Sequence, residues 1–260
     1  MKKFGFLIPL MVVLTVLFIS PVRTYALGLE AAAGYWNQAP SGDLQYGGAP
    51  GEGTKLNLKE DLNYDSKARP YLRVKVDLPL FLPNIYFMAT PMKYEGQGSK
   101  DINITFGDEK FKAGASFNSV LKADHYDIAV YYSLPFLNTA TAGSLNVELG
   151  LNLRIIDFEA KISQDSLNKS ASANYTLPIP MVYAGVQLKP VDLFSIEAEF
   201  RGITYGSNSY YDLIARMKVK PVGPVFIAGG YRYEKIKIDH NDVKASMEFK
   251  GPFIEAGVSF

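Results

Sequence analysis

The chain has 260 residues, no cysteine, a formal charge of +1, and 17 Tyr with 16 Phe. Near-neutral charge argues against a nucleic-acid footprint or a strongly acidic partner surface. The lack of Cys excludes a disulfide framework and an acylated lipoprotein cysteine.

Lys2 and Lys3 precede an apolar stretch, Phe4 to Ile19, that is broken only by Gly5, Pro9 and Thr15. Thr24, Tyr25 and Ala26 then offer a small-residue cleavage site. Residues 1–26 read as a secretory signal peptide and 27–260 as one exported domain. A single membrane anchor is the rival, but the run is short for a spanning helix and contains Pro9. Beyond it no apolar run is long enough for a helical span, while the aromatic content is that of interfacial girdles.

Period-two alternation dominates the rest. A soft strand is read at 28–38, followed by a clear one at 71–78. There Leu72, Val74, Val76 and Leu78 oppose Arg73, Lys75 and Asp77. Soft strands at 84–95 and 120–134 precede Leu145–Ile155, where Leu149, Leu151 and Leu153 oppose Glu148, Asn152 and Arg154. In a soft strand at 172–189, the stretch Tyr175 to Leu188 is apolar on both faces and holds Pro178 and Pro180, so a bulge or local edge is expected there. Then come Phe194–Gly202, with Ser195, Glu197, Glu199 and Arg201 on its polar face, and Tyr211–Val219, with Asp212, Arg216 and Lys218. A soft strand at 224–238 carries Arg232 and Glu234. The chain ends on Pro252–Phe260, where Ile254, Ala256, Val258 and Phe260 oppose Glu255, Gly257 and Ser259.

These segments predict an all-β fold, a transmembrane antiparallel up-and-down barrel of about ten strands. Turns at 80–84, 134–143, 189–192 and 220–224 are short, whereas 38–67 and 96–119 are long. An even strand count puts both termini on the short-turn side, the periplasm, with outer-membrane lipid around the wall. A periplasmic sandwich or lipocalin-like barrel would show the same periodicity. The charged faces, natural in a lumen, and the terminal Phe260 favour the membrane form. Phe260 after an alternating strand resembles the C-terminal signature that the barrel-assembly machinery recognises in bacterial outer-membrane proteins.

Gly34, Tyr35 and Trp36, the segment Leu56–Asp65, Leu80–Ile85, Leu149–Arg154 and Pro180–Tyr183 are similar to a family of small outer-membrane β-barrel proteins. That family has no established activity, so the resemblance implies fold and location and names no catalytic residue.

With apolar faces toward lipid, the inward set comprises Arg73, Lys75, Arg154, Arg201, Arg216, Lys218 and Arg232. Against them stand Glu30, Asp77, Asp127, Glu148, Glu197, Glu199, Asp212, Glu234 and Glu255. Isolated charges away from water are costly, so this near-balance predicts a paired network that plugs or narrows the lumen. A small-solute pore is the competing reading.

Catalytic signals are thin. Asp124 and His125 near a rim, and Asp239–Asp242 around His240, are the places where a carboxylate could assist a histidine, as at the rim of omptin proteases. Both read better as solvated turns. Gly48–Lys55 has the residues of a phosphate loop in the wrong order. Asp61, Asn63 and Asp65 open like a calcium loop, but Ser66 stands where Gly is needed and Leu72 where Glu is needed. No cofactor is expected. Tyr35, Trp36, Tyr132, Tyr183, Tyr211 and Tyr233 are read as girdle residues. The sequence leaves oligomeric state open.

Overall fold

The structure, a computed structural model, describes residues 27–47, 52–79, 82–240 and 243–260. The leader read at 1–26 lies outside them, as do Leu80 and Phe81 of the first turn.

The strands in chain order are β1 (Gly28–Tyr46), β2 (Leu56–Asn57), β3 (Lys67–Asp77), β4 (Asn84–Thr90), β5 (Lys93–Gly98), β6 (Ile104–Phe106) and β7 (Glu109–Phe111). They continue as β8 (Phe117–Ser133), β9 (Leu145–Gln164), β10 (Lys169–Val191), β11 (Phe194–Tyr205), β12 (Asn208–Val222), β13 (Val225–His240) and β14 (Val243–Ser259). A short helix, α1 (Pro135–Ala140), sits between β8 and β9.

From β8 to β14 each strand pairs with its sequence neighbour, β8 continues through β4 and β3 to β1, and β14 returns to β1. β4 and β5 are two lengths of one stave, since both pair with β8 on either side of Pro91 and Met92. Counted so, the wall is a closed antiparallel barrel of ten staves. The seam runs from Glu30 opposite Ser259 to Tyr46 opposite Val243. Closure of β14 on β1 removes the two free edges that an open sheet would present, a condition for surviving in hydrocarbon, where no water satisfies backbone groups.

Faces follow parity. Along lower β9, Leu149, Leu151 and Leu153 point outward and are exposed, whereas Glu148, Asn152 and Arg154 point inward and are buried. Leu72, Val130, Ile196, Leu213, Met217, Ile227 and Ile254 extend this exposed apolar belt around the wall. Short connections at 192–193 and 223–224 and the Leu29–Phe260 backbone pairing lie at one mouth.

The staves run further than the alternation implied: β1 to Tyr46, β9 to Gln164, and β14 back to Val243. Above the belt the faces exchange chemistry without any change of register. On β9, Asp157, Glu159 and Lys161 now face out, and Ile156, Ala160 and Ile162 face in. On β14, Lys244, Ser246, Glu248 and Lys250 face out over a buried Ala245, Met247 and Phe249. The two long loops fold back over this part. Leu56, Leu58, Leu62, Tyr64, Ile104, Phe106 and Phe111 are buried against Leu44, Tyr94, Phe117, Leu121 and Phe249. Burial in this plug pushes the Tyr64 phenol up to about 12.

Pro178 and Pro180 sit in an unbroken β9–β10 register, opposite Ile155 and Leu153. On the other side, β10 meets β11 only from Val182 opposite Gly202 downward, so a local edge does fall at the prolines. The register shift lies elsewhere, between Leu188 and Val191.

Candidate functional site in the barrel interior

The charged side chains gather in layers along the axis. Nearest the terminal mouth, Glu30 accepts from Lys218 Nζ at 2.9 Å and from Arg73 Nη1 at 2.6 Å. Glu197 receives Lys218 at 2.5 Å and Arg216 at 3.2 Å. Lys75 donates to Glu148 at 2.8 Å, and its ammonium lies 5.2, 5.4 and 6.0 Å from the ring centroids of Tyr86, Tyr131 and Tyr183. Asp77 accepts from Tyr131 at 3.1 Å at the rim. In the turn below, Lys189 holds the Asp192 carboxyl under its ordinary value.

In the next layer Arg73 grips Glu255 with two nitrogens, at 2.7 and 3.0 Å, and Tyr71 donates to the same carboxylate at 2.7 Å. Arg216 donates to Glu199 at 2.7 Å. Arg201 Nη2 reaches Glu199 at 3.1 Å and Nη1 lies 3.9 Å from Asp212, while Nε and Nη1 find no hydrogen-bond acceptor among the described residues. Its guanidinium instead lies 4.7 Å from the Tyr86 ring and 5.3 Å from that of Tyr183, a cation–π contact that offsets the missing bonds.

The uppermost charged layer centres on Arg154. It grips Asp127 at 2.8 and 2.9 Å, then reaches Asp212 at 2.5 Å and Glu234 at 3.4 Å. Arg232 grips the same Asp212 at 2.9 and 2.8 Å and donates to Thr90 Oγ1 at 3.0 Å. The Trp36 ring lies 4.5 Å from its guanidinium.

Many of these bonds join staves that are not neighbours. Arg154 on β9 meets Asp212 on β12, Arg232 on β13 meets Thr90 on β4, and Lys75 on β3 meets Glu148 on β9. They are struts across the lumen. Arg73, Arg154 and Arg201 have no exposed surface at all. Below the struts a vestibule of about 180 Å³ opens at the terminal mouth.

The interior also holds side chains that the charge pattern did not single out. Trp36 and Tyr183 are fully buried inside and are not girdle residues, because they share the inward register of Gln38 and Met181. Tyr35 and Tyr132 do face outward. Tyr71, Tyr86, Tyr131 and Tyr210 line the lumen as well, and parity with Arg73, Met88, Asp127 and Asp212 was the available signal.

His125 is not at a solvated rim. It is 1% exposed, with Nε2 3.1 Å from Arg232 and Nδ1 3.1 Å from the Ala123 carbonyl. Asp124 points to the opposite side of the wall and accepts from the Met92 amide at 2.7 Å. Adjacent strand residues cannot share one reacting centre. His240 pairs with Val243 by backbone, and Asn241 and Asp242 lie outside the described residues. Asp61 and Asn63 are engaged with different partners. Asp61 takes Lys100 at 2.6 Å and the Asn57 amide at 2.8 Å, and Asn63 donates to the Gln97 carbonyl. Residues 48–51 of the glycine-rich segment lie outside the described residues, and Thr54 accepts from the Thr105 amide.

No family model and no curated protein matches the chain, so the resemblance read from Gly34–Trp36 and Leu56–Asp65 is not tied to a defined family. Among solved structures it is similar to Ail of Yersinia pestis in complex with sucrose octasulfate, a heparin analogue. The identity is 14% and the TM-score 0.37, covering 90% of this chain and 99% of that one. The translocator domain of autotransporter NalP from Neisseria meningitidis gives 12% identity and a TM-score of 0.45 over 97% of this chain and 94% of that one. The toluene transporter TodX of Pseudomonas putida gives 9% and 0.26 over 89% of each. All are outer-membrane barrels, and at this distance the likeness reaches no further than the general architecture.

Proposed function

We propose that the protein is a sealed barrel of the bacterial outer membrane, with both chain ends in the periplasm and a non-catalytic envelope-structural or surface-interaction role. The observation that carries this is the strut system. Arg73, Arg154 and Arg201 are buried, and the Arg154–Asp212 and Arg232–Thr90 bonds cross the lumen between distant staves. Opening a pore would break these cross-lumen pairs together and require water to solvate every charge they neutralise. The outward belt favours hydrocarbon around the wall, and β1 begins where β14 ends, at the short-turn mouth, which favours the periplasmic side for both.

The absence of a shared face for Asp124 and His125 weighs against rim hydrolysis. Single-channel recording in planar bilayers tests the sealed reading: a flat baseline is expected. Stable, repeated openings would replace it with a narrow channel for small solutes, for which the vestibule at the terminal mouth would be the entrance.

A further inference from the structure

The upper half holds a cavity that the ionic layers do not use. Its volume is about 520 Å³, and its walls include Ile156, Leu177, Ile179, Ile203, Ile238 and Met247, all from β9 to β14. Its floor is Tyr210, whose hydroxyl donates to Glu234 and whose ring lies 4.7 Å from the Arg154 guanidinium. The cavity therefore stops where the charged layers begin. Although Tyr175 and Leu177 line it, they remain 43% and 45% exposed, apolar surface that the described residues leave uncovered.

The wall beside this cavity is incomplete. The β10–β11 ladder ends at Val182 opposite Gly202, and β10 above that point pairs only with β9. Pro178 and Pro180 lie in the unpaired length, and neither has an N–H with which to close a ladder. Outside the gap is a second apolar hollow, lined by Leu151, Pro180, Val182, Phe200, Ile203 and Tyr211. Ile203 lines both hollows, and Leu151 and Phe200 belong to the exposed belt. At the doorway Phe200 and Tyr211 stack with centroids 6.2 Å apart over Gly202, where a Cβ would sit 2.4 Å from the Phe200 ring. Glycine is required there to let the rings lie flat.

We propose that one hydrocarbon chain of an outer-leaflet lipid enters the upper cavity sideways through the β10–β11 gap and rests against Leu177, Ile203 and Met247. Continuity with the belt selects this occupant, since a chain already dissolved in the membrane reaches the doorway without crossing water. The size falls in the usual range for a small-molecule pocket, roughly 300–1,000 Å³. The inference rests on the membrane placement proposed above. It is independent of whether the lower barrel conducts, because the cavity ends at Tyr210.

The test uses the full mature protein refolded in phosphatidylcholine vesicles that contain a phosphatidylcholine with a diazirine on one acyl chain. After irradiation, adducts are mapped by peptide mass spectrometry. Adducts at Leu177, Ile179 or Met247 are expected in addition to those on belt residues such as Leu151 and Ile196. Adducts on the belt alone overturn the proposal, and a chain with no belt adducts loses the membrane placement and this inference with it.

Because the chain has no cysteine, Pro180→Cys with Thr204→Cys provides a lock. The two positions would face each other if the ladder continued past Val182 and Gly202. Oxidation should abolish interior adducts, spare belt adducts, and be reversed by reductant. Interior adducts that persist in the locked protein overturn sideways entry and point to the aqueous mouth. Ile203→Trp fills the doorway without a cross-link and should give the same loss, and unchanged interior labelling in that variant overturns the proposal equally.

Discussion

The lower and upper halves of one stave obey opposite rules. On β9, residues up to Ile155 put leucine outward and charge inward, whereas from Ile156 onward charge faces out and apolar side chains face in. The register with β8 and β10 runs straight through this point. Nothing in the backbone marks the change, so the surroundings must. In the membrane placement proposed above, the lower wall faces hydrocarbon and encloses a polar interior. The same placement puts the upper wall in water, where an apolar core re-forms with the two long loops supplying part of it. A single amphipathic face per strand is therefore the wrong description of this barrel, and parity combined with depth is the right one.

The largest effect expected from breaking the lower half is at Arg154. Arg154→Ala leaves the Asp127, Asp212 and Glu234 carboxylates buried without their shared cation. We expect a loss of about 3–5 kcal/mol, read by urea unfolding of vesicle-inserted protein on heat-modifiable gels. A loss within the range of a surface change would mean that water, not a strut, occupies that layer.

A paired experiment on one outward face sharpens the comparison next. Leu151→Arg places a cation in the belt and should cost about 2–4 kcal/mol, whereas Ser163→Arg, twelve residues higher on the same face, should stay within about 0.5 kcal/mol. Equal costs at the two sites would erase the boundary between the halves. Smaller still is the outward ion pair of Lys235 with Glu248 at 2.9 Å, where both partners are partly exposed. Lys235→Ala should cost about 0–1 kcal/mol and lose most of that effect in high salt.

Assembly gives a further test of a different kind. Phe260 is 62% exposed beside Leu29, so it contributes little packing. If it is the signal read by the barrel-assembly machinery, its deletion should abolish outer-membrane insertion in cells while leaving refolding into detergent unchanged. Normal insertion without it would remove that role.

The fold and the polarity of the lower half were legible in the sequence. Leu72, Leu149 to Leu153, Ile196, Leu213 and Ile254 announce one face, and Arg73, Arg154, Arg201, Asp212 and Glu255 the other. The upper half was not, because period-two patterns carry parity but no depth. The alternation at Ala245, Met247 and Phe249 is out of phase with that at Ile254, Ala256 and Val258, and such a slip reads as a strand ending, not as a solvent boundary. Interior aromatics were misplaced for a related reason. A girdle role was assigned to Trp36 and Tyr183 by residue type, although their parity already placed them inside. Leu56, Leu58 and Leu62, scattered through a polar loop, gave no hint that they complete a core contributed by distant strands. The edge at Pro178 and Pro180 was visible as a disturbance, but what it opens onto depends on Ile203, Tyr210 and Met247, which only the closed wall brings together.

The exchange of solvent along one stave is the claim everything else depends on, and the cysteine-free chain allows it to be read directly. Single cysteines at Leu151, Leu153, Asp157, Glu159 and Lys161, labelled with a polarity-sensitive fluorophore in vesicles of brominated lipid, report depth at each position. Strong quenching at Leu151 and Leu153 with none from Asp157 upward is the predicted result. Uniform access of a water-soluble thiol reagent to all five positions in the inserted protein would contradict it.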